Sequence, residues 1–184
     1  EKAERIIEEV TDLVRRVRET TKTVKEEVRK LVERSKRRNE EIRREVKELV
    51  DEVEKKLREK DEKDARRIRK ELKEVLDRVD KLLTDDSRKV EEIRREVEER
   101  LDESRKRIEK ILKDVEDLLR KIGTDKDALE KVRRDVERLI RELEKTDRDV
   151  LEEVKKLIEE SERNSDRILE EVRRIIEELK KKIK

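Results

Sequence analysis

The sequence predicts an all-α fold: an antiparallel up-down-up bundle of three long, nearly untwisted helices, forming one domain over residues 1–184. Three observations carry this expectation. The apolar residues repeat every 18 positions, 62% of the residues are charged with the two signs nearly balanced, and one ladder of apolar positions occurs three times along the chain.

Composition comes first because it limits what can be buried. Phe, Trp, Tyr, Met, Cys, His, Pro and Gln are absent, and there is a single Gly. Only Ala, Val, Ile and Leu, 55 residues together, are available for a core. Low hydropathy with high charge normally denies a chain a core. Here 58 basic and 56 acidic residues nearly cancel, and the apolar residues are periodic, which is the signature of long helices or a coiled coil. Without Cys there is no disulfide framework, thiolate nucleophile or zinc-finger ligand set, and the redox compartment is not readable. No apolar run exceeds two residues, so the sequence offers neither a membrane span nor a signal-peptide core. It reads as a soluble protein of unspecified compartment. It opens Glu1-Lys2 rather than on Met, which reads as trimming. Basic and acidic residues alternate within each turn, so no basic face is set apart for nucleic acid or anionic lipid.

The period defines the first helix, about residues 2–59. Val10, Val28 and Val46 lie 18 apart, as do Leu13, Leu31 and Leu49, and Val14, Val32 and Val50. Ile6, Val24 and Ile42 form a further row. Eighteen residues are five turns of a straight α-helix, whereas a heptad repeat would impose a left-handed supercoil and an eleven-residue repeat a right-handed one. The apolar stripe is narrow, suited to one seam facing two neighbours with the remainder solvated.

The ladder then recurs. Shifting the first sixty residues by 126 places 16 of their 17 apolar positions on apolar residues, Ile7 against Arg133 being the exception. Shifting by 62 matches 13 of 17, and the Val10 row becomes Leu72, Val90 and Ile108. Ala3, Ala65 and Ala128, the only alanines, mark the start of each copy. The second helix is expected at about 62–122 and the third at about 125–183. The first turn is Arg58–Asp64, REKDEKD, where Asp61 suits an N-cap with Asp64 three residues on. The second is KIGTDKDAL, where Gly123 suits a left-handed helix end and Thr124 or Asp125 the following cap.

Residues 82–90, LLTDDSRKV, carry the punctuation of a loop. The 18-residue row Ile68, Asp86, Ser104, Ile122 runs straight through them, however, and a loop would reset that phase. The segment is therefore expected to be helical, with Asp86 and Ser104 at core positions. The alternative is six shorter helices with loops near residues 21, 84 and 146.

The other helices carry polar interruptions of their own: Thr21, Ser35 and Asn39 in the first, and Asp147, Ser161 and Ser165 each 126 residues further on. With an antiparallel second helix and a turn near residue 62, Thr21 faces Ser104 and the Ser35–Asn39 pair faces Asp86. A turn near residue 125 brings Ser104 to Asp147, and Asp86 to Ser161 and Ser165. Two polar layers are expected. One holds Thr21, Ser104 and Asp147, with Thr20 and Thr146 as flanking candidates. The other holds Ser35, Asn39, Asp86, Ser161 and Ser165, with Ser87 and Asn164 beside them. An unpartnered buried polar group costs about 1–3 kcal/mol, so polar groups at one height satisfy one another and penalise wrong registers. Replacing Asp86 by Leu is expected to raise stability if its layer is buried and incompletely satisfied.

A catalytic or metal-binding reading of these residues is weaker. No His is present as a general base. Asp86 and Asp147 fall in different layers, about 27 Å apart along a helix axis. Asp125 and Asp127 lack the Gly and terminal Glu of a calcium loop. Neither Asn39 nor Asn164 heads a glycosylation sequon. The basic tail KKKIK ends a helix, where cations complement the dipole. No catalytic residue, cofactor, metal, small-molecule substrate, nucleic acid or obligatory partner is expected, and the chain is expected to be monomeric. Three helices need about 51 seam positions, which leaves little apolar surface for a second interface.

An 18-residue repeat, three equal helices, a restricted alphabet and paired polar layers resemble a de novo designed, parametrically generated three-helix bundle with buried hydrogen-bond networks. The resemblance covers the whole chain and implies a stable scaffold without a natural substrate. Natural spectrin-like repeats share the up-down-up path but normally carry aromatics, Gln and His. The competing expectation is a helical interaction or oligomerisation module.

Overall fold

The computed structural model describes residues 2–183. These residues form three long helices with no strand among them: α1, Lys2–Leu57; α2, Glu62–Ile122; and α3, Lys126–Ile183. The helices run unbroken through residues 21, 84 and 146, so the six-helix alternative is not what the chain adopts. LLTDDSRKV is helical throughout. Its Thr, Asp and Ser have weak helix propensity. The apolar phase on either side overrides that local preference, because Leu83 and Val90 are both buried.

The helix ends follow capping chemistry. α1 stops at Leu57, slightly before the expected 59, and Lys60 N–H closes the turn by donating to the Leu57 carbonyl at 3.1 Å. Asp61 then sits just before α2, and its carbonyl accepts the first helical bond from Ala65 at 3.0 Å. α2 ends where Gly123 takes φ +69°, a left-handed conformation that costs a side-chain-bearing residue energy. α3 starts at Lys126 rather than 125 because Asp125 is its N-cap. Asp125 Oδ1 accepts from the backbone N–H of Asp127 (3.2 Å) and of Ala128 (3.5 Å).

The chain divides into two compact units, each built from all three helices. Unit 1 comprises Glu1–Lys30 and Ile93–Lys155. Its core takes Val10, Val14 and Val17 from α1, Ile108 and Leu119 from α2, and Leu129 and Ile140 from α3. Unit 2 comprises Leu31–Glu92 and Lys156–Lys184. Its core takes Ile42, Val46, Val50 and Leu57 from α1, Leu72 and Leu83 from α2, and Leu169, Ile176 and Leu179 from α3. A fully buried aliphatic side chain such as Leu83 or Ile140 contributes about 1.5–3 kcal/mol relative to exposure.

Contacts between helices keep a regular register in each unit. In unit 2 the α1–α3 pairs Arg34–Glu162, Arg38–Asp166, Arg173–Glu45 and Lys180–Glu52 are all separated by 128 residues. In unit 1, Thr21 and Asp147 are separated by 126. The α1–α2 pairs run in the opposite sense. In unit 1, Arg18, Lys25 and Arg29 meet Glu109, Asp102 and Glu98 in turn. In unit 2, Lys36, Asn39 and Arg43 meet Glu91, Asp86 and Asp80. Arg133, the one mismatch when the first helix is shifted by 126, pairs with Glu9 at 2.9 Å and with Glu137 on its own helix at 3.3 Å. Most of these ion pairs are solvent-exposed and worth at most about 1 kcal/mol each. They line the seams and contribute little to the driving force.

Candidate functional site

Two groups of buried polar side chains interrupt the apolar seams, one in each unit. In unit 1, α1 supplies Thr21, α2 Ser104 and α3 Asp147, all buried. The Thr21 hydroxyl has two acceptors, the Val17 carbonyl at 2.9 Å and Asp147 Oδ2 at 2.6 Å. Asp147 is only 2% exposed. Burial pushes its carboxyl above the ordinary aspartate range; the Thr21 and Ser104 hydroxyls pull it partly back, and the negative charge of Glu144 adds to the rise. Ser104 Oγ has no hydrogen-bond partner and is sealed from solvent. Its hydroxyl nonetheless lies near enough to Asp147 to favour the charged form. A groove of about 350 Å³ between α1 and α2 opens beside Thr21, rimmed by Arg18, Lys22, Lys25 and Arg105.

In unit 2 the polar groups are more fully paired. Ser161 Oγ donates to Asp86 Oδ1 at 2.6 Å, and Asn39 Nδ2 donates to Asp86 Oδ2 at 3.0 Å. Ser165 Oγ donates to Asn39 Oδ1 at 2.8 Å, with Asp86 Oδ2 a more distant acceptor at 3.5 Å. Asn39 Nδ2 also reaches Ser87 Oγ at 3.4 Å. Asn39, Ser161, Ser165 and Ser35 are buried, whereas Asp86 and Ser87 are half-buried at the seam.

The flanking candidates behave differently. Thr20 and Thr146 bond back to the carbonyls of Arg16 (3.2 Å) and Glu142 (2.8 Å) on their own helices, and neither bonds to the Asp147 group. Asn164 is exposed. One contact escaped the sequence reading: Arg43 Nη2 donates to Thr84 Oγ1 at 3.0 Å while its other nitrogen pairs with Asp80. Arg43 follows the seam residue Ile42 and stands one position outside the apolar stripe, a surface position that its neighbours in sequence did not distinguish.

These groups offer hydroxyl and amide hydrogen-bond donors and two carboxyl acceptors. Among the described residues no group of three or more Asp or Glu side chains is placed to hold a metal ion, and no helix is long and apolar enough to cross a membrane. Comparison with protein-family models, curated proteins and solved structures finds no match for the chain.

Proposed function

We propose that the protein is a designed structural scaffold: a monomeric, antiparallel up-down-up three-helix bundle with little supercoil, in which the buried polar groups fix the register of the helices. On this reading it has no natural substrate and is not an enzyme. The absence of any related family or structure fits a chain without natural ancestry. The 18-residue period of its apolar rows supports straight helices.

The observation that carries the proposal is the pairing of Asn39 with Ser165 and of Thr21 with Asp147, both at a separation of 126. An apolar ladder that repeats every 18 residues is nearly indifferent to an 18-residue slip between α1 and α3. The polar residues are not. A slip toward the C-terminus sets Ser35 against Leu179 and Asn39 against Ile183; the reverse slip sets Thr21 against Leu129 and Ser35 against Leu143. Each polar group stranded in this way costs about 1–3 kcal/mol, which separates the native register from its nearest competitors.

The test is a spin-label distance measurement between one exposed position on α1 and one on α3, combined with a solution mass. The chain as it stands is expected to give one distance and a monomer mass. A variant with Thr21, Ser35, Asn39, Asp86, Ser104, Asp147, Ser161 and Ser165 all replaced by Leu or Val is expected to add populations displaced by about 27 Å, one 18-residue slip. A single unchanged distance in that variant would remove the register role. A second reading, an oligomerisation module, is favoured by four leucines more than one third exposed, Leu82, Leu118, Leu139 and Leu157. A dimer or trimer mass would replace the scaffold reading with that one.

A further inference from the structure

We propose that folding creates a proton-binding site at Asp147, whose carboxyl holds its proton more tightly in the folded chain than in the unfolded one. The Thr21 hydroxyl carries one hydrogen yet lies at bonding distance from two oxygens, the Val17 carbonyl (2.9 Å) and Asp147 Oδ2 (2.6 Å). If Asp147 is a carboxylate, Thr21 can give its one hydroxyl hydrogen to Oδ2 or to the Val17 carbonyl, which keeps its helical bond from the Thr21 backbone N–H, but not to both. If Asp147 Oδ2 carries a proton, it donates to Thr21 Oγ1 and Thr21 donates to Val17. Both observed contacts are then made at once. Ser104 Oγ, sealed from solvent, makes no hydrogen bond to either oxygen of the carboxyl.

The charged surroundings do not supply a counter-ion. On α3, Arg148 lies 2.7 Å from Glu144, and Arg16 of α1 also lies 3.8 Å from Glu144. Arg18 and Lys25 of α1 pair with Glu109 and Asp102 of α2. Glu19 and Lys22 of α1 and Arg105 of α2 stand at the rim of the neighbouring groove. None of these cations pairs with Asp147 among the described residues. A carboxylate 2% exposed and without a cation is costly, and neutralisation is the ordinary escape. Burial pushing this carboxyl upward agrees with the hydrogen count. The unit 2 group makes the contrast: Asp86 is half-buried, and Ser161 and Asn39 each have a hydrogen to give it.

The consequence for stability has a definite sign. The folded chain binds this proton more tightly than the unfolded chain, so protonation favours folding. The contribution is complete below the ordinary aspartate range and is lost as the pH rises through the raised value. A carboxylate with a cationic partner behaves in the opposite way.

Carboxyl ¹³C titration of the full chain, labelled at Asp and assigned through backbone correlations, tests the proposal directly. The Asp147 resonance is expected to keep the chemical shift of the acid after the other aspartates have ionised. Titration together with the rest, or below them, would overturn the proposal. The variant Asp147→Asn, a permanently neutral mimic, gives a second readout from urea midpoints between acid and neutral pH. Its midpoint is expected to gain on that of the parent chain as the pH rises, and the gap to level off once Asp147 has ionised in both states of the parent. A gap that narrows with rising pH would overturn the proposal equally.

Discussion

Asn39→Ala removes a side chain that serves both an acceptor and a donor in unit 2, and its cost can be worked out contact by contact. Asn39 is 3% exposed; its amide donates to Asp86 and Ser87, and its carbonyl accepts from Ser165. Without it, Asp86 Oδ2 loses its shortest bond. The Ser165 hydroxyl, only 1% exposed, must turn to the remaining acceptor at 3.5 Å. A buried polar group left short of a partner costs about 1–3 kcal/mol. Asp86 reaches water and loses less, so about 2–3 kcal/mol in total is expected. Ser165→Ala strands only the Asn39 carbonyl and is expected to cost about 1–2 kcal/mol. The two residues share one bond, so the double variant should cost less than the two singles together by about 1 kcal/mol. Urea denaturation monitored by circular dichroism gives all four corners of this cycle, with equal slopes confirming that the shifts reflect stability. Singles that add within about 0.3 kcal/mol would mean that the bond contributes nothing beyond independent burial, and the reasoning would fail.

Three further outcomes are expected. Val97→Asp places a charge at a position only 6% exposed and should cost about 4 kcal/mol or more, read as a drop in urea midpoint; a neutral result would deny Val97 a place in the packed seam. Asp86→Leu, for which incomplete pairing would have meant a gain, should instead cost about 1–3 kcal/mol. It strands the Ser161 hydroxyl and the Asn39 amide, and higher stability would show those bonds to be of no net value. Asp125→Ala removes the two cap bonds of α3 and should cost about 1 kcal/mol, with faster amide exchange confined to the first turn of that helix.

What the sequence determined by itself is local in origin. Helical periodicity is a property of each helix alone, so the rows through Val10, Leu72 and Val136 were readable without knowing what they would meet. The ends at Gly123 and Asp125 follow from backbone conformation and capping within a few residues. LLTDDSRKV has the composition of a loop, but the 18-residue phase running through it marks a helix, because a period kept over five turns outweighs local propensity. The protonation of a carboxylate and the pairing of hydroxyls are set by distance and burial, which sequence spacing does not contain. Thr20 and Thr21 are adjacent and chemically identical, yet one bonds back to Arg16 and the other reaches across to Asp147. The rotation of α1 in its seam, a hundred degrees per residue, separates them. Asp86 and Asp147 occupy comparable positions in the ladder. Only the tertiary structure gives one of them two donors and a view of solvent, and encloses the other with a single shared hydrogen. Desolvation and the supply of donors depend on all three helices at once, and for that reason they could not be read from any one of them.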